Sequence, residues 1–522
     1  MLTRKKILLS VLLFAAAVRG IFACMFSNSM FRSYHLVPGL DMQTLLRFAE
    51  WGTPQAVFPP FFSPHRLLLY VNWFCHGGKH ETGWIFAVQA LLGILASLVI
   101  ADLTLSLTGK KRGALVAGMV SAACLPFLVY EFSVLQDSMA VYLTLFAAWG
   151  SAKALRYRFA LKWAVISGVL WSFALSGRPA ALLFAGAAGV WGAYRMYRLG
   201  KYRRFVVFLL TLAVMLGTYS SFNKFQGWDF SPFYPVMGYA KTFNSVPGDA
   251  PASEYTVLFN AVRRVPWLFA AYERMENQNI YFWCEKLPLL HILPAPGIVV
   301  PAAAAAFLIL LAAGYWKKER FWYIAVPVLT LALPLCTRDV IGRYRLMLVP
   351  YFIIAPVMAF YAYRNLPVRR KYFALFMGGL AAAVSVYCGL SMPRNRAADL
   401  HAWALAMQNT PGAAKTEVIA AYLDYWDAAP ASPQAFISAM SCLFRYNELS
   451  TAERLLPVAQ KYGISGDLTG YFYMWIAVLR NDPVSVSRIC ASINPDNLPA
   501  EQQKIFLRVR SDTIRMLHKQ KK

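Results

Sequence analysis

Apolar runs of membrane length alternate along this chain with short basic connections, and that pattern allows few folds. A run of about 17–25 apolar residues is long enough to cross a bilayer as a helix. About eleven such windows can be counted: 6–24, 83–107, 114–130, 138–155, 161–175, 180–197, 205–221, 294–316, 321–335, 346–363 and 373–390. The expected fold is therefore all-α and polytopic. Composition agrees, since 58% hydrophobic residues, 15% charged residues and a mean hydropathy of +0.44 lie outside the range of soluble domains. Fifteen tryptophans and 28 tyrosines fit interfacial belts. A net charge of +27 would suit nucleic acid, but much of it sits in short loops between apolar runs, so no nucleic-acid partner is expected.

Every second connection is basic. Arg4-Lys5-Lys6, Lys110-Lys111-Arg112, Lys153 to Lys162, Arg195 to Arg204, Lys317-Lys318-Arg320 and Arg364 to Lys371 all fall on one side. The positive-inside rule makes that side the cytoplasm. The N-terminus is then cytoplasmic, and the tail after Leu390 is periplasmic if the membrane is a bacterial inner membrane, the preferred location. The first run could also be read as a signal peptide, with "IFAC" ending at Cys24 as a poor lipobox. An uncleaved anchor fits the alternation of the later loops better. The eight cysteines show no metal spacing. Cys75 and Cys284 fall in outward loops, where a pair and two unpaired thiols are both open readings.

The chain divides into a membrane domain, residues 1–393, and an extracytoplasmic helical domain, residues 397–522. Two outward loops are long, 25–82 and 222–293, and are expected to lie on the membrane as amphipathic segments. In "LDMQTLLRFAEW", Leu40, Leu45, Phe48 and Ala49 share one helical face, with Arg47 and Glu50 opposite. Within the tail, "NELSTAERL" matches "NDPVSVSRI" at an offset of 34 residues: Asn447 on Asn481, Glu448 on Asp482, Arg454 on Arg488, Leu455 on Ile489. That period indicates tetratricopeptide-like repeats, with a plain helical bundle as the alternative. Such a cap suits docking of a protein partner or a glycan.

Ionisable residues near membrane depth are expensive and so tend to be functional or paired. Four outward groups qualify: Asp41 with Arg47 and Glu50; Glu131 and Asp137 in "EFSVLQDS"; Arg178 in "LSGRPAALLF"; and Arg338, Asp339, Arg343, Tyr344 and Arg345 in "TRDVIGRYRLMLVP". Carboxylates at that level can activate a hydroxyl or hold a metal. Arginines can grip a phosphate and steady it as it departs. Each has a plainer reading: Asp41 and Asp137 as helix N-caps, Arg343 and Arg345 as side chains reaching the interface. His35, His65, His76 and His80 are spaced too irregularly for a metal site and read as solvated loop histidines or acceptor contacts.

In order along the chain stand "GLDMQTLLRFAEWG", "FPPFFSPHRLLLYVNWFCHG", "WIFAVQALLGIL" with Gln89, "LPFLVYEFSVLQDSM", "GVLWSFALSGRPAALL" and "GRYRLMLVPYFIIAPVMAF". This series, over roughly residues 1–390, resembles the GT-C superfamily of membrane glycosyltransferases, in the branch of protein O-mannosyltransferases and the lipid A aminoarabinose transferase. The resemblance implies sugar transfer from a polyprenyl-phosphate donor to a hydroxyl of a protein or glycolipid at the outer face of the bilayer. It places Asp41 at the catalytic base and Asp137 at a second acid that orients the acceptor or a metal. It places Arg343, Tyr344 and Arg345 at the lipid phosphate and Arg178 at the family's Arg-Pro. Many relatives carry two adjacent acids in the first loop, whereas Asp41 is followed by Met42. That departure leaves no metal ligand set assigned, although a divalent ion stays compatible with the family. Two other functions remain open. A lipid-linked glycan polymerase or ligase would call for an arginine-rich late loop with a histidine, and the 222–293 loop has Arg263, Arg264 and His291 without a clear match. A transporter or flippase would call for inverted repeats, and no matching halves are found.

Overall fold

The computed structural model describes residues 3–49, 64–77, 81–157, 160–177, 181–198, 200, 202–225, 262–272, 279–337, 342–391 and 396–520. Among these the chain is all-α, with no strand. It forms two compact units. One comprises Met1–His35 and Gly39–Arg394, the other Leu36–Pro38 and Asn395–Lys522.

The first unit opens with α1 (Arg4–Ser27), α2 (Asp41–Ala49), α3 (Pro64–Cys75), α4 (Gly83–Thr108), α5 (Lys111–Ala122) and α6 (Leu125–Glu131). It continues with α7 (Asp137–Arg156), α8 (Leu161–Gly177), α9 (Ala181–Arg198), α10 (Tyr202–Phe225) and α11 (Ile280–Lys286). It closes with α12 (Pro296–Ala312), α13 (Glu319–Thr337), α14 (Gly342–Arg345), α15 (Val349–Arg364) and α16 (Val368–Leu390). Every apolar window carries a helix. Among the described residues six helical stretches, Arg4–Ser27, Gly83–Thr108, Pro288–Ala312, Glu319–Cys336, Gly342–Arg364 and Val368–Leu390, are long and apolar enough to cross a bilayer. The α5–α6 pair makes a seventh if it is counted as one span. The 114–130 window is not one continuous helix. It bends by 43° between α5 and α6. Pro126 lies in the first turn of α6; it has no N–H to give, and its ring would clash with the carbonyl four residues earlier. The freed backbone is re-paired across the bundle, where Leu125 N–H donates to the Pro294 carbonyl at 3.0 Å.

Helix α1 starts at the Thr3 cap, whose side chain accepts from Lys6 N–H. It buries Ile7, Val11, Ala15, Arg19, Phe22 and Phe26, a stripe spaced by three and four residues that packs on α4 and α5. One member of that stripe is charged. Arg19 is 3% exposed, and its Nη2 donates to Glu131 Oε1 at 2.6 Å. Its Nη1 donates to the Ala122 carbonyl at 3.2 Å, and Tyr142 O–H donates to the same Glu131 oxygen. The cluster joins α1, α5, α6 and α7. Space for it comes from Gly93 on α4, where a Cβ would overlap both the Glu131 carboxylate and the Arg19 guanidinium.

Aromatic rings close the next turns of the same stripe. Phe22 meets Phe132 at 5.0 Å, Phe26 meets Phe86 at 5.2 Å, and Phe31 stacks on Trp283 at 4.0 Å. These contacts seat α11 and the 3₁₀ segment Met30–Leu36 on the bundle, just ahead of Asp41.

The second unit runs through α17 (Arg396–Asn409), α18 (Lys415–Ala428), α19 (Pro433–Arg445), α20 (Leu449–Lys461), α21 (Gly466–Leu479), α22 (Pro483–Ser492) and α23 (Ala500–Gln520). Each helix packs on the next in sequence. The 34-residue echo falls on identical turns. Asn447 and Asn481 both take left-handed backbone, with φ 58° and 55°. Glu448 N–H donates to the Leu443 carbonyl, and Asp482 N–H to that of Ala477. This is the six-to-one bond of a Schellman ending, for which Asn is the second choice after Gly.

Removing one partner of a buried ion pair costs about 3–5 kcal/mol, because the other charge is left unpaired. Arg19→Ala and Glu131→Ala should each lower unfolding stability in detergent by about that amount. The double variant should lose much less than the sum, and additive losses would show that the two side chains act independently.

Candidate functional site

Arg343 Nη1 donates to Asp41 Oδ2, closing an ion pair across 302 residues of sequence. Each side is positioned by local chemistry. Gly39, at φ +85°, turns the chain after Pro38. Asp41 then stands in the first turn of α2, where a carboxylate suits the helix dipole. The helix docks through Met42 and Leu46, which are 1% and 4% exposed. This differs from the expected face. Leu45 is only half-buried, and the seam runs along the i, i+4 pair that points at the bundle. Glu50 lies outside the described residues, as do the side chains of Phe48 and Ala49.

Arg343 sits on the short helix α14 at the entry to α15. Its guanidinium lies 5.0 Å from the Tyr344 ring centre, and Nη2 reaches the Tyr344 hydroxyl at 3.4 Å. The Arg343 side chain is 13% exposed and that of Asp41 50%. An oriented cation is thus held in the wall, and a carboxylate half in solvent faces it.

Arg345, two residues on, has different surroundings. It is 2% exposed, and its Nη1 donates to the carbonyls of Ala270 at 2.6 Å, Trp267 at 3.2 Å and Leu268 at 3.4 Å. It anchors the end of the helical stretch 262–268. Arg264 of that stretch donates to the Cys336 carbonyl at 3.4 Å.

Asp137 opens α7 and is 3% exposed. The turn before it is held by Gln89, whose Nε2 donates to the Ser133 carbonyl at 3.1 Å and whose Oε1 accepts from the Ser138 hydroxyl. The 3₁₀ turn Leu346–Leu348 after Arg345 packs on α7, so the segments carrying Asp137 and Arg343 share a support. Arg178, Arg338, Asp339 and His80 lie outside the described residues. Among the described residues no three His, Cys, Asp or Glu side chains gather as metal ligands. Cys75 and Cys284 are not joined; Cys75 is exposed, while Cys284 is buried, which pushes its thiol up to about 11.

Two features escaped the sequence reading. Glu131, expected among the outward acids, belongs to the buried cluster with Arg19. A lone arginine inside the first apolar run was the available signal. His65, expected in solvent, is 2% exposed on α3, which packs on α2. Its Nε2 has no hydrogen-bond partner among the described residues, and burial lowers its pKa to about 4.

No family model matches the chain, and no curated protein matches it. Among solved structures, it is similar to the Archaeoglobus fulgidus oligosaccharyltransferase in complex with zinc and sulfate. Identity is 15% and the TM-score 0.36, covering 80% of this chain and 56% of the other. The chain thus spans little more than half the length of that protein. A likeness of that size leaves the chemistry to the residues themselves. Fold and composition define an all-α, multi-span membrane protein with an acid–guanidinium pair where the start of α2 meets α14.

The buried His65 has a pH consequence. Its folded pKa lies below the ordinary 6.5, so between about pH 6.5 and 4 the unfolded state binds more protons. The stability it contributes is full above pH 6.5 and is lost as pH falls through that window, at most roughly 3 kcal/mol. The protection factors of the amides in α3 and α2, that is, exchange relative to the intrinsic rate at each pH, should therefore fall between pH 7 and pH 5. His65→Leu should abolish that dependence, whereas persistence in the variant would assign it to another group.

Proposed function

We propose that this chain is a GT-C-type membrane glycosyltransferase. It moves a sugar from a polyprenyl-phosphate donor to a hydroxyl of a protein or glycolipid acceptor, at the face of the bilayer where α1 ends and α15 begins. The observation that carries the reading is the contact between Asp41 and Arg343.

Energetics favour a functional reason for that pair. A half-exposed ion pair stabilises a fold by about 0–1 kcal/mol, which is little return for holding an arginine in the protein wall. The chemistry of the proposed reaction uses both groups. A donor phosphate competes with Asp41 for the guanidinium, and a phosphate is the better bidentate acceptor. Handing Arg343 from carboxylate to phosphate leaves Asp41 Oδ2 open to the acceptor. The acceptor oxygen then attacks the anomeric carbon as the carbon–oxygen bond to the phosphate breaks. The hydroxyl proton passes to Asp41, and the electron pair of the broken bond leaves with the polyprenyl phosphate, whose charge Arg343 steadies. This single displacement inverts the anomeric centre.

In this scheme Asp137 is a second acid that orients the acceptor, Tyr344 holds the plane of Arg343, and Arg345 positions its neighbour by fixing the loop behind it. Arg178 joins the phosphate contact by the sequence resemblance. A cytoplasmic N-terminus and a periplasmic tail in a bacterial inner membrane complete the proposal, with the repeats of the tail as a protein-docking element.

Asp41→Asn should leave the fold intact and lower kcat by about 10²–10⁴-fold, the usual worth of a general base. Arg343→Ala should lower kcat/KM for the donor by about 10²-fold or more. Both are read with a radiolabelled polyprenyl-phosphate sugar and membrane acceptor. An Asn variant with full activity would remove Asp41 from the chemistry.

A further inference from the structure

A second feature lies at the other end of α1, where Arg4 starts the helix. Asp102, near the end of α4, is 5% exposed. It accepts from Arg4 at 2.7 Å, Lys153 at 2.5 Å and the Trp149 indole at 2.9 Å. These groups border a cavity of about 510 Å³ whose charged lining is Arg4, Lys153, Arg156 and Arg320 against Asp102 and Glu319. Asp102 is shared by Arg4 and Lys153, and Glu319 is met by Arg195 at 3.5 Å. Arg156 contacts the Ser106 hydroxyl at 3.5 Å, and Arg320 donates to the Leu107 carbonyl at 3.2 Å. The cationic excess therefore resides on Arg156 and Arg320, with one further positive charge left where Arg4 and Lys153 share Asp102.

An apolar groove of about 680 Å³ adjoins this polar cavity. The two share Leu103, Leu107, Ala152, Glu319 and Tyr323 as walls. The groove runs between α7, α9, α13 and α15. It has Trp191, Tyr194 and Trp322 exposed along its rim, the residue types of an interfacial belt. On its wall is Tyr351, a 2% exposed side chain whose hydroxyl has no hydrogen-bond partner among the described residues.

We propose that this composite site holds an anionic glycerophospholipid. One acyl chain lies in the apolar groove, and the phosphate rests between Arg156 and Arg320. Three observations select this occupant. The head cavity carries more positive than negative groups, and the groove is continuous with it. The rim also lies among the basic connections, where juxtamembrane cations meet anionic headgroups. The site shares no residue with the Asp41–Arg343 pair and does not depend on the transfer reaction assigned to it.

The test is native mass spectrometry of the full chain in detergent, titrated separately with phosphatidylglycerol, phosphatidylcholine of the same acyl chains, a polyprenyl monophosphate and inorganic phosphate. The expected result is saturable binding of one phosphatidylglycerol, about tenfold or more tighter than phosphatidylcholine. Arg156→Glu with Arg320→Glu should weaken it by about tenfold or more. Ala152→Phe, which plugs the junction of the two cavities without altering charge, should do likewise and serves if the double variant does not fold. Equal binding of both phospholipids, tighter binding of the polyprenyl phosphate, displacement by inorganic phosphate, or retention of phosphatidylglycerol by the variants would each overturn the proposal.

Discussion

The buried pair of Arg19 and Glu131 is the interaction on which the membrane unit most depends. Charges inside an apolar bundle are tolerable only when they are paired and their remaining hydrogen-bonding capacity is used. Here the tyrosine of α7 and the Ala122 carbonyl take up part of that capacity and the small surface of Gly93 makes the room, while Arg19 Nε and Glu131 Oε2 have no partner among the described residues. The stripe of α1 that carries Arg19 also carries Phe22 and Phe26, which gather Phe86, Phe132 and Trp283. The placement of the 3₁₀ segment before Asp41 therefore follows from how α1 is locked.

The two arginines of "RYR" show how burial separates roles that look alike in one dimension. Arg345 donates to three carbonyls and is hidden; Arg343 keeps an edge of its guanidinium exposed beside a carboxylate. A buried guanidinium tied to backbone oxygens holds a loop. A partly exposed one facing an acid is available to a competing anion. Asp41 repeats the logic at smaller scale, since the position that begins α2 also makes it reachable from solvent.

Much of the membrane unit was legible because apolar length is a coarse and strong signal, and all eleven windows carry helices. The break at Pro126 was readable in principle, but hydropathy averages across it. The α2 face was misplaced because Leu40, Leu45, Met42 and Leu46 are equally apolar, and only the packing direction chooses among them. The 34-residue echo was legible because Asn is one of the few residues suited to a left-handed helix ending, so the turn chemistry left a mark at Asn447 and Asn481. The Asp41–Arg343 contact could be anticipated only as a shared side of the membrane, since no local pattern encodes a contact over 302 residues. The burial of His65 left no sequence signal, because an aromatic loop and a packed amphipathic helix share the same composition.

The central claim is that Asp41 and a donor phosphate are alternative partners of one guanidinium. A cryo-electron microscopy structure of the chain with a non-hydrolysable polyprenyl-phosphate sugar analogue tests it directly. The account predicts phosphate oxygens within about 3 Å of the Arg343 nitrogens, with the Asp41 carboxylate released toward the acceptor side. A phosphate bound elsewhere, with the Asp41–Arg343 pair still closed, would contradict it.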